Sequence, residues 1–114
     1  MRHLNQPEAL IQVQLIKRLK ELDWFVKVTH GNMYQSGFPD LYCAHRSFGT
    51  RWIEVKLPDM KGSRFTAAQL DTFHRMGAVG VGIWILTCST DAEIRKLFGP
   101  PNWYMYLSIM HKDG

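Results

Sequence analysis

The sequence has few cysteines and no long apolar run, and each shortage excludes a class of protein. Its 114 residues include 2 cysteines, Cys43 and Cys88, which lie 45 positions apart and form no Cys-x-x-Cys pair. A redox or zinc site built on such a pair is therefore excluded, and we expect both thiols to be reduced and buried. No stretch without Asp, Glu, Lys or Arg is longer than 15 residues, the length of Met76–Thr90. Because a membrane-spanning helix needs about 20 apolar residues, we expect none, and no membrane partner.

The N-terminus also lacks the apolar core of a secretory signal, because Asn5, Gln6, Pro7 and Glu8 precede any apolar run. A cytoplasmic location is the expectation that follows. A formal charge of +4, with 21% charged and 12% aromatic residues, is typical of a folded domain and not of a disordered tail. No repeat or linker composition interrupts the chain, so residues 1–114 are predicted to form one domain. The mild basic surplus is only a weak indication of nucleic-acid binding.

Apolar spacing and turn residues predict an alternation of helices and strands. Residues 7–22 place four apolar side chains at helical intervals. Strands are predicted at 24–28, 40–44, 51–57 and 79–87, a second helix at 66–77, a short helix near residue 91, and a final strand or aromatic surface segment at 103–110. Gly80 and Gly82 would share a strand face that a helix can approach closely. Three consecutive strands and a helical crossover imply a mixed central sheet flanked by helices, hence an α/β or α+β fold.

Two acidic residues and a lysine are predicted to converge at the ends of two neighbouring strands. Asp40 begins one strand, and Glu54 and Lys56 share one face near the end of the next, where they alternate with Ile53 and Val55. If these strands pair as an antiparallel hairpin, Asp40 lies close to Glu54. Two carboxylates ~4 Å apart would repel by ~4 kcal/mol at an effective dielectric constant of ~20. Mg²⁺ or Mn²⁺, which prefer oxygen ligands, are the natural partners of such a pair.

This arrangement favours phosphodiester hydrolysis, because a cation held there binds a phosphate oxygen and activates water. Lys56 would orient that water and stabilise charge on the phosphate. A second acid-x-lysine pattern, Asp59-Met60-Lys61, lies in a predicted loop without apolar flanks, so the strand context selects Glu54 and Lys56. The competing interpretation is a solvated hairpin whose cross-strand ion pair contributes only ~0 to 1 kcal/mol.

Three segments, in this order, resemble the motifs of the PD-(D/E)XK nuclease superfamily, and most closely those of its small virus-type VRR-NUC branch. They are Gly37-Phe38-Pro39-Asp40-Leu41, Trp52-Ile53-Glu54-Val55-Lys56 and Thr66-Ala67-Ala68-Gln69, with Glu8 on a helix upstream. The resemblance extends over residues 7–87 and implies a restriction-endonuclease-like αβββαβ core. It also implies DNA cleavage with Mg²⁺ or Mn²⁺, no small-molecule cofactor and, for a protein of phage origin, a location in the host cytoplasm.

The resemblance assigns roles residue by residue. Asp40 and Glu54 match the metal ligands, the Val55 carbonyl offers a third, and Lys56 matches the catalytic lysine. Gln69 matches a glutamine on the following helix. The predicted catalytic residues are thus Asp40, Glu54, Lys56 and Gln69.

Glu8 and Gln69 each have a second interpretation. Glu8 matches an acid on the first helix that can complete the metal site, but it also lies three positions after Asn5. Gln69 likewise lies three positions after Thr66. Both spacings are those of a capping box, which by itself explains either residue. The metal-site and capping interpretations both stay open at the level of sequence.

Basic residues on the connections that flank the predicted site are candidates for gripping DNA phosphates. They are Arg46, Arg51, Lys61 and Arg64. A solvated basic rim is an equally good interpretation of the same four residues. The five histidines never recur at three- or four-residue spacing and therefore provide no metal-binding motif.

The function favoured by these patterns is a metal-dependent DNA endonuclease. By resemblance it would select branched or four-way-junction DNA in phage-type replication, recombination or repair. A domain with a radius of gyration of about 13 Å cannot surround a duplex, so cutting both strands would require two copies, and a homodimer is expected. The alternatives are a non-catalytic DNA-binding module that keeps the fold, and a protein-interaction domain that uses residues 103–110. The aromatic stripe in that segment either stacks on unpaired bases or belongs to the core or a subunit contact.

Overall fold

The computed structural model describes residues 6–29, 37–58 and 64–107, with side chains described from residue 8 onward. Its elements, in chain order, are α1 (Gln6–Glu21), β1 (Phe25–Val28), β2 (Leu41–His45), β3 (Gly49–Val55), α2 (Ala67–Ala78), β4 (Ile83–Leu86) and α3 (Asp91–Ile94), which continues into a 3₁₀ turn at Arg95–Phe98. Residues 103–107 are also helical. Lys61 and the second acid-x-lysine pattern to which it belongs, Asp59-Met60-Lys61, lie outside the described residues.

The four described strands form one mixed sheet in the order β1-β2-β3-β4. The first three strands pair antiparallel, while β4 joins β3 in parallel, so α2 is the crossover connection. The mixed sheet flanked by helices, predicted from the order of elements, is confirmed. This topology places the end of β3 in the interior of the sheet, beside the start of β2.

One face of the sheet is covered by α1. The apolar stripe predicted along this helix is its buried side, and Leu15 and Leu19 are fully buried against Ile53 and Val55 of β3. The helix ends before Asp23, whose positive φ of 71° turns the chain back towards the sheet. The N-terminal turn of α1 carries Glu8.

The other face is covered by α2 and the helical turn at 103–107, which pack on β4. Phe73 and Trp103 are fully buried against Ile83 and Ile85. The predicted strand at 103–110 is therefore wrong over its described part, because the backbone there is helical. The predicted surface segment is wrong for Trp103, which fills the core, whereas Tyr104 and Met105 of the same turn are exposed. Trp103 cannot serve as an exposed contact for bases or a partner protein.

The last strand is shorter than predicted, since β4 begins at Ile83 and not at residue 79. Gly80 has a φ of 88° and belongs to the turn after α2. Gly82 is indeed closely approached, but by the side chain of Pro101 and not by a helix. The two glycines therefore make a tight connection into β4, where the pattern of alternating residues alone suggested a continuous strand.

Both cysteines are free thiols, as predicted. Cys43 is fully buried under α1, and this burial raises its pKa to about 12. Cys88 is only partly buried. Across the residues that the structure describes, no helix is long and apolar enough to span a membrane.

Candidate active site

The β2–β3 hairpin brings Asp40 and Glu54 to the same end of the sheet. Leu41 pairs with Ile53, so the residues one step towards the open end of the hairpin are Asp40 and Glu54. The Oδ2 atom of Asp40 accepts a hydrogen bond of 2.8 Å from the backbone amide of Val55. The structure thus shows the Val55 amide bound to Asp40, and the Val55 carbonyl stays a predicted ligand.

Glu54 is a buried carboxyl whose two oxygens have different surroundings. Oε2 accepts a hydrogen bond of 2.7 Å from Nε2 of Gln69 and lies 3.4 Å from Nζ of Lys56. Oε1 is buried and has no hydrogen-bond partner among the described residues. Burial, followed by the negative charge of Asp40, raises the pKa of Glu54 to about 8. These two effects outweigh Lys56 and Gln69, which act in the opposite direction.

Lys56 is 3% exposed and lies against the ring of Phe65, 5.0 Å from its centroid. Its Nζ donates to the backbone carbonyl of Arg64 at 2.6 Å and to Oε1 of Gln69 at 3.1 Å, besides its ion pair with Glu54. Two of the three N–H donors of the ammonium group are therefore used in hydrogen bonds, and the contact with Glu54 is an ion pair. The lysine is consequently held in place, with its charge beside Glu54.

Gln69 completes the capping box of α2 and also contacts the charged pair at the end of β3, and its catalytic role stays a prediction. Its backbone amide donates to the Thr66 hydroxyl, and its Oε1 accepts from the Thr66 amide, which completes the capping box of α2. The same Oε1 also accepts from Lys56, and Nε2 donates to Glu54. The first turn of α2 is therefore fastened to the charged pair at the end of β3.

Asp40 is held at the start of β2 by a residue that sequence reasoning missed. The amide of Thr29, just after β1, donates to the Asp40 carbonyl at 2.9 Å, and its hydroxyl donates to the carbonyl of Pro39. No motif marks Thr29; only its position at the end of a predicted strand that flanks the site offers a signal. Burial raises the pKa of Asp40, the Val55 amide and Lys56 act against this rise, and the charge of Glu8 adds to it.

Glu8 contributes to the site through its charge on Asp40 and its place in the first turn of α1. Its alternative capping partner, Asn5, lies outside the described residues. Within the described ranges, no group of three or more His, Cys, Asp and Glu side chains is close enough to hold a metal ion. Asp40 and Glu54 therefore form a two-carboxylate pair, and Glu8 as a metal ligand stays a prediction.

The pair nevertheless fits a hard divalent cation. An unpartnered, buried carboxylate oxygen next to a second carboxyl is an arrangement that needs either a proton or a cation. Mg²⁺ is commonly held by one or two carboxylates, its other positions being filled by water and substrate phosphate. Asp40 and Glu54 supply such a donor set, and the ammonium group of Lys56 leaves net negative charge for the cation.

The predicted DNA-binding residues are spread over the molecule. Arg64 is next to the site, because its carbonyl accepts from Lys56. Arg46 lies in the β2–β3 turn, about 20 Å from Asp40 at ~3.3 Å per residue along the strand. Arg51 stacks on Trp84 and donates to the carbonyl of residue 97. The structure does not bring these two arginines to the carboxylates, and their contact with DNA stays a prediction.

The backbone at position 37, where the motif before Asp40 begins, requires glycine. Its φ is 88°, and a Cβ atom there would collide with the backbone carbonyl of Ala68 and lie 2.8 Å from Oγ1 of Thr72. The segment that precedes β2 and the first turn of α2 are therefore in close backbone contact. Gly37→Ala is expected to lower the free energy of unfolding by roughly 1–3 kcal/mol and to lower any activity that needs Gln69. Urea unfolding measures the first effect; unchanged stability would contradict the contact.

A matched pair of variants separates the capping contact of Gln69 from its contacts with Lys56 and Glu54. Thr66→Ala and Gln69→Ala each remove half of the capping box and should each cost about 1 kcal/mol of stability. Only Gln69→Ala also removes the partner of Lys56 and Glu54, so it alone should lower catalytic activity, by about 10-fold or more. Equal activity of the two variants, measured where both are folded, would show that Gln69 is only a cap.

Comparison with known proteins identifies the architecture that carries this site. A solved structure described as a VRR_NUC domain superposes with a TM-score of 0.63 at 19% sequence identity, and the match covers 78% of this chain and 92% of that chain. No family model matches the sequence, and no curated protein matches it. The VRR-NUC nuclease-like fold that the motifs predict is confirmed by the structural match.

Proposed function

We propose that this chain, which has the fold of a VRR_NUC domain, is a metal-dependent DNA endonuclease. Asp40 and Glu54 form the site at which it hydrolyses the phosphodiester bonds of DNA. The observation that carries the proposal is Oε1 of Glu54, a buried carboxylate oxygen with no hydrogen-bond partner among the described residues, beside a second carboxyl. A carboxyl left in this state costs stability unless it has a ligand to bind. A role in function is the simplest reason to keep it.

Neighbouring groups orient the two carboxylates. The Val55 amide orients the Asp40 carboxyl, while Gln69 orients Glu54 through Oε2 and leaves Oε1 free to bind. Asp40 and Glu54 would hold Mg²⁺ or Mn²⁺. When bound there, such a cation supplies Lewis-acid polarisation of a phosphate oxygen and a lowered pKa for a coordinated water.

Lys56 places a positive charge where negative charge develops on the phosphate. Its three described partners hold Nζ beside Oε2 of Glu54, where it offsets the charge of that carboxylate. Lys56 binds the backbone carbonyl of Arg64, and the side chain of the same residue is exposed beside the site. This side chain is positioned to contact the phosphate backbone of DNA. These are the groups that this chain provides for substrate.

Branched DNA as the preferred substrate and a homodimer as the working form belong to the same proposal. The described residues provide one such carboxylate pair, and two cuts on opposite strands need two pairs. Sedimentation with and without a four-way junction measures the number of chains bound per junction. Two chains per junction would support the homodimer, and one would contradict it.

Cleavage of end-labelled duplex, flap and four-way-junction DNA with Mg²⁺, Mn²⁺ or chelator tests the proposal directly. Products should appear with either metal and vanish with chelator. If DNA binds in every condition and no metal gives products, the chain is a DNA-binding module and the nuclease proposal fails. Salt-dependent binding should be seen in both cases, since it depends on phosphate contacts alone.

A further inference from the structure

A row of aromatic side chains crosses the sheet beside the carboxylate pair. It contains Phe25 of β1, Tyr42 of β2 and Trp52 of β3, with Phe38 against Trp52 and Lys27 next to Tyr42; these five residues are the aromatic face. The ring centroids of successive members lie 5.0–6.3 Å apart. Nothing in the nuclease chemistry described above requires this row.

The aromatic face and Glu54 lie on the same side of the sheet. Lys27, Tyr42 and Trp52 are directly paired across three strands, so their side chains point to one side. Glu54 is two residues after Trp52 and shares that side. The aromatic row is therefore one step, about 7 Å, from the row that holds the two carboxylates.

Among the described residues, no helix packs on the part of this face formed by β1 and β2. The apolar cluster on this side is built from β3, β4, α2 and the segments next to them, and none of its described members comes from β1 or β2. Phe25 is 60% exposed and Phe38 is 41% exposed, although each lies against another ring. Because these rings belong to one contiguous row, they form the kind of surface patch at which proteins bind a ligand or partner.

The chemistry of the face favours nucleobases. Adjacent rings meet at 65–88°, so they offer alternating faces and edges where a flat base can stack or insert. Lys27 is exposed within the row and forms no ion pair with any described residue, which leaves its charge for a phosphate. Aromatic rings with an interleaved cation, next to a site for phosphodiesters, are typical of surfaces that bind unpaired strands.

We propose that the aromatic face binds a single-stranded segment of the DNA substrate, with bases stacked on Phe25 and Tyr42 and a phosphate at Lys27. This inference rests on the proposed function for the identity of the neighbouring site. It specifies the substrate class as DNA with an unpaired strand next to the cut. A continuous duplex keeps its bases stacked on one another and cannot use this face.

Binding of fluorescein-labelled oligothymidylate and of a blunt hairpin duplex, both in chelator, tests the proposal. Phe25→Ala should weaken oligothymidylate binding by about 5-fold or more and leave hairpin binding unchanged, whereas Phe25→Tyr should restore it. Phe98→Ala is the matched control, because Phe98 is 49% exposed and stacks on Phe48 at the hairpin turn, far from the carboxylates. Thermal unfolding of each variant verifies that it is folded.

Salt dependence separates stacking from charge. Phe25→Ala should lower affinity without changing the slope of log K against log salt concentration, while Lys27→Gln should reduce the slope by about 0.7. Equal losses for oligothymidylate and hairpin, or no loss, would overturn the proposal. A shift from dimer to monomer on Phe25→Ala, with affinity per chain unchanged, would instead identify the face as a contact between copies and would also overturn it.

The outcome is independent of whether the chain cuts DNA. If Phe25-dependent binding of oligothymidylate is found but no metal gives cleavage, the aromatic face stands and the nuclease proposal fails. If metal-dependent cleavage is found and Phe25→Ala cuts a flap and a continuous duplex in the same ratio as the unmodified chain, the nuclease proposal stands and the aromatic face fails.

Discussion

Asp40→Asn and Glu54→Gln are each expected to lower the rate of metal-dependent DNA cleavage by at least about 100-fold. Each substitution keeps the shape of the side chain and removes one of the two negative charges that would hold the cation. The Asp40 hydrogen bond from the Val55 amide and the Glu54 hydrogen bond from Gln69 both end on oxygens that the amides retain. The variants should therefore fold. Single-turnover cleavage of labelled DNA at saturating enzyme measures the loss.

A matched control distinguishes loss of the site from loss of charge in general. Asp71 is an exposed acid on α2 that pairs only with Arg75 among the described residues, so Asp71→Asn changes the net charge by the same amount. The Asp71→Asn variant should cleave DNA at the same rate as the unmodified protein. Retention of full activity in Asp40→Asn would show that the carboxylate pair does not hold the cation.

The metal-free protein is expected to lose stability as the pH rises from about 5 towards 8. Glu54 has an ordinary pKa of 4.5 in the unfolded chain and a pKa of about 8 in the folded protein. Between these values the folded state keeps a proton that the unfolded state has released, so raising the pH favours unfolding. The cost is up to ~1.4 kcal/mol for each pH unit in this interval, and the raised pKa of Asp40 acts in the same direction.

Urea unfolding in chelator across this interval measures the slope. Glu54→Gln cannot release a proton, so its free energy of unfolding should fall less with pH than that of the unmodified protein. Added Mg²⁺ should restore stability at the alkaline end, because a ligand that binds only the folded state stabilises it. A slope that is the same in Glu54→Gln would show that Glu54 is not the group that titrates.

The sequence was sufficient to predict that Asp40 and Glu54 lie together, because their proximity depends on local rules of strand geometry. Strict alternation puts Glu54 and Lys56 on one face of a strand, and an antiparallel hairpin fixes which residue faces Asp40. The same rules fail for β4, where a run of apolar residues and glycines resembles a long strand. The side chain of Pro101, distant in sequence, fills the place beside Gly82, and a regular strand is not formed there.

Long-range packing determined the contacts of three residues whose capping, aromatic or charge pattern allowed more than one interpretation. Gln69 has the spacing of a capping box, and only the approach of α2 to β3 shows that its amide also binds Glu54 and Lys56. Trp103 lies in an aromatic stripe that suited a surface as well as a core, and it is fully buried. Arg51 is basic and near the predicted site in sequence, yet it alternates to the opposite face and stacks on Trp84.

The sequence by itself determined the order of the first helix and three strands, the mixed sheet, and the convergence of Asp40 with Glu54, because periodicity and hairpin pairing are properties of neighbouring residues. Only the tertiary structure decided three other features: Oε1 of Glu54 is buried without a described partner, Nζ of Lys56 contacts three acceptors, and rings from β1, β2 and β3 form one row that no described helix covers. Burial and exposure depend on which distant segments cover a residue, and no local pattern contains that information.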